Sequence, residues 1–459
     1  MEHIVIIGNG VAGITAARHI RKNSAHKITV ISGETDHFFS RTALMYIYMG
    51  HMKYEHTKPY ENWFWKKNRI ELKRAWVKGV DFGSKKLTYD SGDSLTYDKL
   101  ILATGSKSNK FGWPGQDLKG VQGLYSFQDL ESMEDKTKGI ERAVVVGGGL
   151  IGIEMAEMFH SRRIPVTMLV REKNFWDPVL PLEEAQMIDR HILEHGIDLR
   201  LETELKEIRD DGNGGVKGII TGSGEEISCQ FVGLTVGVSP NVDFLKSTDL
   251  EIERGIVVDE FLQTSQTDVF AVGDCAELKN PPIGRRPIEA VWYVGRMMGE
   301  AVAQTVTGNQ TKYEPGIWFN SAKFFDIEYQ TYGQVSPQRA ENESDFYWEH
   351  SGGKMCLRLV FNKDDRQLVG CNIFGIRMRH EIFDRWIGAG KTVEYALEHL
   401  KDANFDPEFY RQHEGEIVGK FNEENGTAIK VKKKSWKRIL ELKKNVPQIS
   451  QMCAELNQR

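Results

Sequence analysis

The sequence has little cysteine, little proline, almost no net charge and no long apolar run. Its five cysteines, Cys229, Cys275, Cys356, Cys371 and Cys453, are scattered, and none stands in a CxxC or CxxxxC spacing. That excludes a disulfide scaffold, a cysteine zinc site and a local redox dithiol. It fits a reducing compartment, read here as the cytoplasm. No stretch approaches the roughly 20 apolar residues of a membrane-spanning helix. The N-terminus, MEHIVIIGNG, lacks a basic region followed by a long apolar core, so no signal peptide is expected. Sixty Lys+Arg against 65 Asp+Glu leave a net charge of −5, which argues against a general nucleic-acid binder. With 40% hydrophobic and 27% charged residues the chain has the balance of a folded protein with a real core. At roughly 150 residues per domain, 459 residues suggest about three domains.

Glycine is present in excess: 44 of 459 residues, about 9.6%, against roughly 7% on average. With only 13 prolines the excess is not linker-like; it asks for tight turns and close backbone approaches. The glycines cluster in a repeated pattern. Residues 4–7 (IVII) read as a buried parallel strand, Gly8-Asn9-Gly10-Val11-Ala12-Gly13 as a turn, Ile14 to Lys22 as a helix and Ile28–Ile31 as the next strand, with Glu34 shortly after. The same order returns with Ala143–Val146, the turn Gly147-Gly148-Gly149-Leu150-Ile151-Gly152, the helix Ile153–Ser161 and the strand Val166–Val170. In GxGxxG the first glycine makes the turn, the second lets a pyrophosphate approach the backbone and the third lets helix and strand pack closely. The helix N-terminus then offers N–H groups and a positive dipole end to the phosphate. Two such βαβ units imply two dinucleotide-binding domains. Further strands end in glycine: Tyr97–Gly105 closes on Ala103-Thr104-Gly105, Phe231–Gly237 has the same shape, and Val269–Asp274 closes on Gly273-Asp274. After about residue 315 the pattern fades. Residues 324–333, 356–361 and 366–374 read as alternating strands, followed by helices near 378–389 and 392–401 and a basic tail.

In this order and at this spacing the motifs resemble the two-dinucleotide-domain flavoproteins, the pyridine nucleotide–disulfide oxidoreductases. The likeness covers roughly residues 1–375. It implies an α/β fold with two Rossmann-like, glutathione-reductase-like domains and a C-terminal α+β domain with an antiparallel sheet. It divides the chain into 1–115 (FAD-binding, first part), 116–245 (NAD(P)-binding, inserted), 246–315 (FAD-binding, second part), 316–428 (C-terminal interface domain) and 429–459 (basic helical tail). The cofactors implied are FAD and NAD(P)H. Gly8, Gly10, Val11, Ala12 and Gly13 would cradle the FAD pyrophosphate, Glu34 the adenosine ribose, and Ser40-Arg41 would open the stretch over the flavin. Val77 would meet the adenine, Ala103, Thr104 and Gly105 form the ATG strand end, and Gly273 and Asp274 would hold the ribitol. Glu289 and Ala290 would begin a helix near the pyrimidine end of the flavin. Gly147, Gly149, Leu150, Ile151 and Gly152 would hold the nicotinamide cofactor, with Gly237 on its far side and Glu154 near the flavin N5.

The region that carries a redox dithiol in the largest subfamily is Phe38–Met49 here, and it holds no cysteine. A disulfide reductase needs a thiolate beside the flavin, so that chemistry is not expected, and Cys275 reads as a small buried residue. The cysteine-free relatives are more similar: reductases of ferredoxin and rubredoxin, the flavin part of nitrite reductases, and apoptosis-inducing factor. Ser40-Arg41-Thr42-Ala43-Leu44 and the aromatic run Trp318–Asp326 resemble theirs. Several of them pair a lysine near N5 with the glutamate matching Glu154; Tyr46 stands at that lysine position. Arg171 stands where NADP-specific relatives bind the 2′-phosphate, although Glu172 would repel it. A guanidinium suits phosphate, so the reading leans to NADPH and the cofactor is written NAD(P)H.

The expected activity is therefore an FAD-dependent NAD(P)H oxidoreductase without a redox disulfide, passing electrons to a carrier protein. A quinone or other small-molecule acceptor, and an FAD/NAD-binding protein that responds to redox state without turnover, are the alternatives. From Lys430 to Lys444 there are eight Lys/Arg and one acid. This tail reads as a dock for an acidic carrier, a peripheral membrane foot or a plain solvated helix. A homodimer is compatible with the family, and no nucleic-acid partner or transmembrane segment is expected. No histidine spacing implies a metal. His191 and His195, at i and i+4, fall on a helix that is surface-exposed in most such units.

Overall fold

The computed structural model describes residues 1–405 and 411–432. The chain divides into two compact units, Met1–Asp326 and the residues from Ile327 on. Both dinucleotide motifs lie in the first unit.

Two five-stranded parallel sheets build that unit. In the first, the strand order is Val269–Ala271, Lys99–Leu102, His3–Ile7, Lys27–Ser32 and Ile70–Arg74. In the second it is Asp198–Arg200, Val166–Leu169, Ala143–Val146, Phe231–Leu234 and Val121–Gln122. The last strand of the first sheet follows the whole of the second in the chain. The central strands are β-branched and buried on both faces, as parallel strands covered by helices must be; Ile4, Val5, Ile6, Val144 and Val145 are all fully buried. Each sheet carries a three-stranded antiparallel flap, over residues 77–96 and 205–228. The second unit holds the antiparallel strands Ile327–Gly333, Leu368–Phe374, Cys356–Asn362 and Glu343–Glu349, in that spatial order. Helices His380–Gly388, Val393–Glu398 and Glu414–Asn425 accompany them.

The fold class agrees with the sequence reading, and several local readings are corrected. The strand expected over 324–333 is broken by a turn at Phe325–Asp326, where Phe325 takes a left-handed φ of 53°. Phe319–Phe324 therefore ends the first unit and Ile327–Gly333 starts the second. The helix expected to begin at Glu289 begins at Trp292, so Glu289 and Ala290 are extended approach residues. The strand Glu343–Glu349 was not foreseen, because its charged, half-exposed alternation resembles a loop. Almost all of the basic tail lies outside the described residues. Among the described residues no helix is long and apolar enough to cross a membrane.

The two fingerprint turns have one architecture. An added Cβ at Gly8 would lie 2.0 Å from the Ala103 carbonyl oxygen, and one at Gly13 would lie 2.1 Å from the Gly8 oxygen. At Gly147 the clash is with the Thr235 oxygen at 2.6 Å, and at Gly152 with the Gly147 oxygen at 2.3 Å. Gly8 and Gly147 also have φ of 114° and 121°, which L side chains rarely adopt. The helix Val11–Asn23 packs against Trp292–Val306 through a further glycine. A Cβ at Gly299 would sit 2.5 Å from the Ala12 carbonyl oxygen. Gly299→Leu is accordingly expected to cost about 1–3 kcal/mol by forcing the helices apart. A thermal melt followed by circular dichroism should fall by several degrees; an unchanged midpoint would mean that this approach is not needed.

Candidate cofactor site

A cavity of about 620 Å3 runs along the C-terminal ends of the first sheet. In open parallel sheets this is where ligands bind. Of the residues expected from sequence, Gly8, Gly10, Val11, Ala12, Glu34, Arg41, Val77, Ala103, Thr104, Gly105, Gly273, Asp274 and Ala290 line it. So do Leu150, Ile151 and Glu154 from the start of the second fingerprint helix. The cavity thus collects residues from both dinucleotide motifs. Gly13, Gly147, Gly149, Gly152, Gly237 and Arg171 lie outside its wall, as do Ser40, Tyr46 and Glu289.

The middle glycines are the ones left open. An added Cβ at Gly10 or at Gly149 would meet nothing within 4 Å. Gly10 and Gly149 are the N-caps of the helices Val11–Asn23 and Leu150–Ser161, and neither helix has a side-chain cap. Both helix ends therefore present backbone N–H groups with no side chain to satisfy them. An anion there gains about 0.3–1 kcal/mol from the helix dipole, and up to about 2 kcal/mol where partly buried. Backbone donors, a positive helix end and clear space are what a pyrophosphate requires, so the site fits a dinucleotide at both turns.

Along the wall, five side chains form one chain of contacts. Arg41 donates from Nη1 to Glu34 Oε1 at 2.7 Å and from Nη2 to Oε2 at 2.6 Å. The same guanidinium donates to the Tyr125 carbonyl oxygen at 2.5 Å and lies over its ring, 4.5 Å from the centroid. Tyr125 Oη in turn donates to Asp274 Oδ2 at 3.1 Å, and Ser106 Oγ donates to the same oxygen at 3.2 Å. Burial raises the pKa of Asp274 against the effect of these two hydrogen bonds. The Phe127 amide also donates to Glu34, at 2.9 Å. A carboxylate offers about four acceptor positions, and three on Glu34 are taken by Arg41 and Phe127. The Arg41 head group is directed to Glu34 and Tyr125 rather than extended as a cover. Tyr125 and Ser106 carried no signal in the sequence, since one is a polar residue in a loop and the other opens the three-residue strand Ser106–Ser108.

Glu154 lines the cavity beside the buried Glu157. Burial, and then the charge of Glu157, push the Glu154 pKa up to about 7, with Lys323 pulling it down. Lys323 donates to Glu157 Oε1 at 2.6 Å, and its ammonium lies 5.4 Å from the centroid of the Tyr46 ring. The cation sought at position 46 is thus supplied from the strand Phe319–Phe324. Tyr46 itself stays off the wall and stacks on His51. Only the fold could bring Lys323 here. Glu289 is held by Arg285 through a buried bidentate pair, with Nε donating at 2.8 Å and Nη2 at 2.5 Å, while Arg285 lies over Trp318. Trp292, by contrast, lines the cavity. Arg171 is exposed and its Nε donates to Glu172 at 2.6 Å, so an approaching phosphate would compete with a neighbouring carboxylate.

Among the described residues no cysteine lines the cavity. Cys229, Cys275, Cys356 and Cys371 are all buried, and none of the four is in a disulfide. The Cys275 thiol donates to the Leu102 and Val272 carbonyl oxygens, and burial raises its pKa. It is a neutral thiol, without the character of a nucleophile.

The chain belongs to the pyridine nucleotide-disulphide oxidoreductase family, whose model matches residues 2–302. It is 26% identical over 380 residues to the assimilatory nitrate reductase electron transfer subunit of Bacillus subtilis, covering 82% of this chain and 48% of that protein. It is 28% identical over 311 residues to the rubredoxin-NAD(+) reductase of Ectopseudomonas oleovorans, covering 67% of this chain and 80% of the relative. The chain spans about half the length of the first two curated relatives it matches, 48% and 46%. Among solved structures, the NAD-dependent persulfide reductase from A. fulgidus shares the fold with a TM-score of 0.81 and 23% identity, over 97% of this chain and 92% of that one. A ferredoxin reductase from Rhodopseudomonas palustris shares it with a TM-score of 0.75 and 22% identity, over 82% and 91%.

A carboxyl whose folded pKa is near 7 holds a proton that it gives up on unfolding, where its pKa is about 4.3. Between those values the folded state binds the extra proton, so stability falls as pH rises and the full cost is present above about 7. Glu154→Gln removes that cost. The variant should gain in melting temperature over the parent between pH 5 and pH 8, by the equivalent of at most about 3 kcal/mol. A gain independent of pH would contradict the assigned environment.

Proposed function

We propose that this chain is an FAD-dependent NAD(P)H oxidoreductase that passes electrons to a redox carrier protein without using a disulfide. One observation carries the reading. Two fingerprint turns end in uncapped helices with an open middle glycine, and both helices contribute to one cavity that no cysteine of the described residues lines. Among the relatives are proteins named as rubredoxin and ferredoxin reductases, which supports the choice of acceptor.

We assign FAD to the turn Gly8–Gly13 and the cavity, and NAD(P)H to the turn Gly147–Gly152. This corresponds to an FAD domain of 1–115 and 246–315, with residues 116–245 inserted and a C-terminal domain from 316. Bound there, the flavin would supply hydride acceptance from NAD(P)H and onward transfer of single electrons. The chain's own residues orient and insulate. The amides after Gly10 and Gly149 bind phosphates, and Glu34 takes a ribose hydroxyl at its remaining acceptor position. Asp274, fixed by Tyr125 and Ser106, meets the ribityl hydroxyls. Leu44, Met45, Leu150 and Ile151 exclude water from the reacting face. Glu154 holds a proton at its carboxyl near neutral pH, within the field of Lys323. The pairing of Arg171 with Glu172 weakens the lean to NADPH. The four described cysteines, buried and outside any disulfide, support a reducing, cytoplasmic setting. An acidic carrier would suit the basic residues from Lys430 onward.

The open glycines give a direct test. Gly10→Val should fold, because nothing stands within 4 Å of the new Cβ, yet it should lose FAD by filling the phosphate position. Gly149→Val should keep FAD and its yellow colour but resist bleaching by NADH or NADPH under anaerobic conditions. Absorbance spectra of the two purified variants decide. FAD retained in Gly10→Val, or normal bleaching in Gly149→Val, would overturn the assignment.

A further inference from the structure

The helix Leu182–Glu194 was expected to expose its histidine pair. Instead His191 is buried, with a relative exposure of 1%. The turn Phe325–Asp326 delivers a carboxylate to it. Asp326 Oδ1 lies 2.6 Å from His191 Nε2 and 3.7 Å from His195 Nε2. The three ligand atoms fall within 4.8 Å of one another.

The His195 ring is held by a hydrogen bond, and the His191 ring has its Nδ1 3.7 Å from Glu194 Oε2. His195 Nδ1 lies 2.9 Å from the His191 carbonyl oxygen. A carbonyl only accepts, so Nδ1 carries the proton and the lone pair of the neutral ring is on Nε2, facing Asp326. Metal-binding histidines are commonly fixed by this kind of contact. The Phe325 ring stacks on His195 at 4.2 Å and 18°, and the His191 ring meets His195 edge-on at 4.4 Å. Phe325 achieves its stacking from a left-handed φ of 53°. A non-glycine residue pays of order 1–3 kcal/mol for such a conformation, and it persists only where the surroundings require it. Histidines at i and i+4 share a helix face, the spacing that zinc-binding helices use.

We propose that His191, His195 and Asp326 bind one divalent first-row transition metal ion, Zn2+ foremost. Bond lengths of about 2.0–2.2 Å at a tetrahedral angle place two ligands about 3.3 Å apart. The His195–Asp326 separation of 3.7 Å is close to that, and the His191–Asp326 contact of 2.6 Å would open slightly as the metal enters. Asp326 is 60% exposed, so its side can yield and water can complete the shell. Two imidazoles and a carboxylate suit Zn2+, Co2+ and Fe2+ rather than Ca2+ or Mg2+. The ion would tie the helix Leu182–Glu194 to the turn that follows Lys323, steadying the strand that carries this lysine to Glu157.

The test uses untagged, FAD-loaded full-length protein stripped with chelator and titrated with Co2+ and then Zn2+. The parent should bind one equivalent of Co2+ with the visible bands of a four-coordinate ion, and Zn2+ should displace it. His195→Gln and Asp326→Asn lie at the exposed side and should keep FAD. They should bind Co2+ more than about 100-fold more weakly, since losing even a partner that supports a ligand costs 10–100-fold. Absence of stoichiometric Co2+ binding in the parent, or equal binding in both variants, would overturn the proposal.

Discussion

The close approach of backbone to backbone in the two fingerprint turns, at Gly8 against the Ala103 carbonyl and at Gly147 against the Thr235 carbonyl, is what makes the sites of this protein possible. A side chain at either position would push the turn off the end of the neighbouring strand, and one at Gly13 or Gly152 would part the turn from its helix. Without that contact, neither helix end would point along its sheet toward the crevice. The first and third glycines of each turn are committed to packing, which leaves the second with open space in front of it. Packing and binding are thus divided among residues two or three positions apart. The glycine excess of the whole sequence becomes intelligible as a requirement for close contact rather than for flexibility.

This division explains what could be read from the sequence. The βαβ units were legible because their signals are local: a β-branched run, a glycine turn and a helix follow one another within about 30 residues. The wall of the cavity was legible where it is built from those turns, at Gly10, Ala12, Ala103 and Gly273. It was not legible where distant segments meet. Tyr125 links Arg41 to Asp274 from a loop with no pattern, and Lys323 reaches Glu157 from a strand far along the chain. Tyr46 was chosen for its place in an alignment of motifs, but the charge that such a place requires can arrive from elsewhere in space. His191 shows the same limit: its spacing was visible, while its burial and its contact with Asp326 depend on tertiary packing.

Electrostatics distinguish the two ends of the cavity. At one end Glu34 is neutralised by the Arg41 guanidinium and held in place. At the other, Glu154 and Glu157 lie beside the cation of Lys323, which donates to Glu157. Burial and the charge of Glu157 there poise Glu154 near neutral pH. Among the described residues no thiol lines the cavity, which limits the electron storage of the site to its cofactor.

That limit gives the most direct test of the central claim. Full-length protein loaded with FAD is titrated anaerobically with NADH or NADPH while the flavin absorbance is followed. A flavin without a disulfide partner takes up two electrons, so bleaching should be complete at one equivalent of reduced nucleotide per FAD. A requirement for a second equivalent would reveal a further two-electron centre, and protein that neither holds FAD nor bleaches would contradict the account outright.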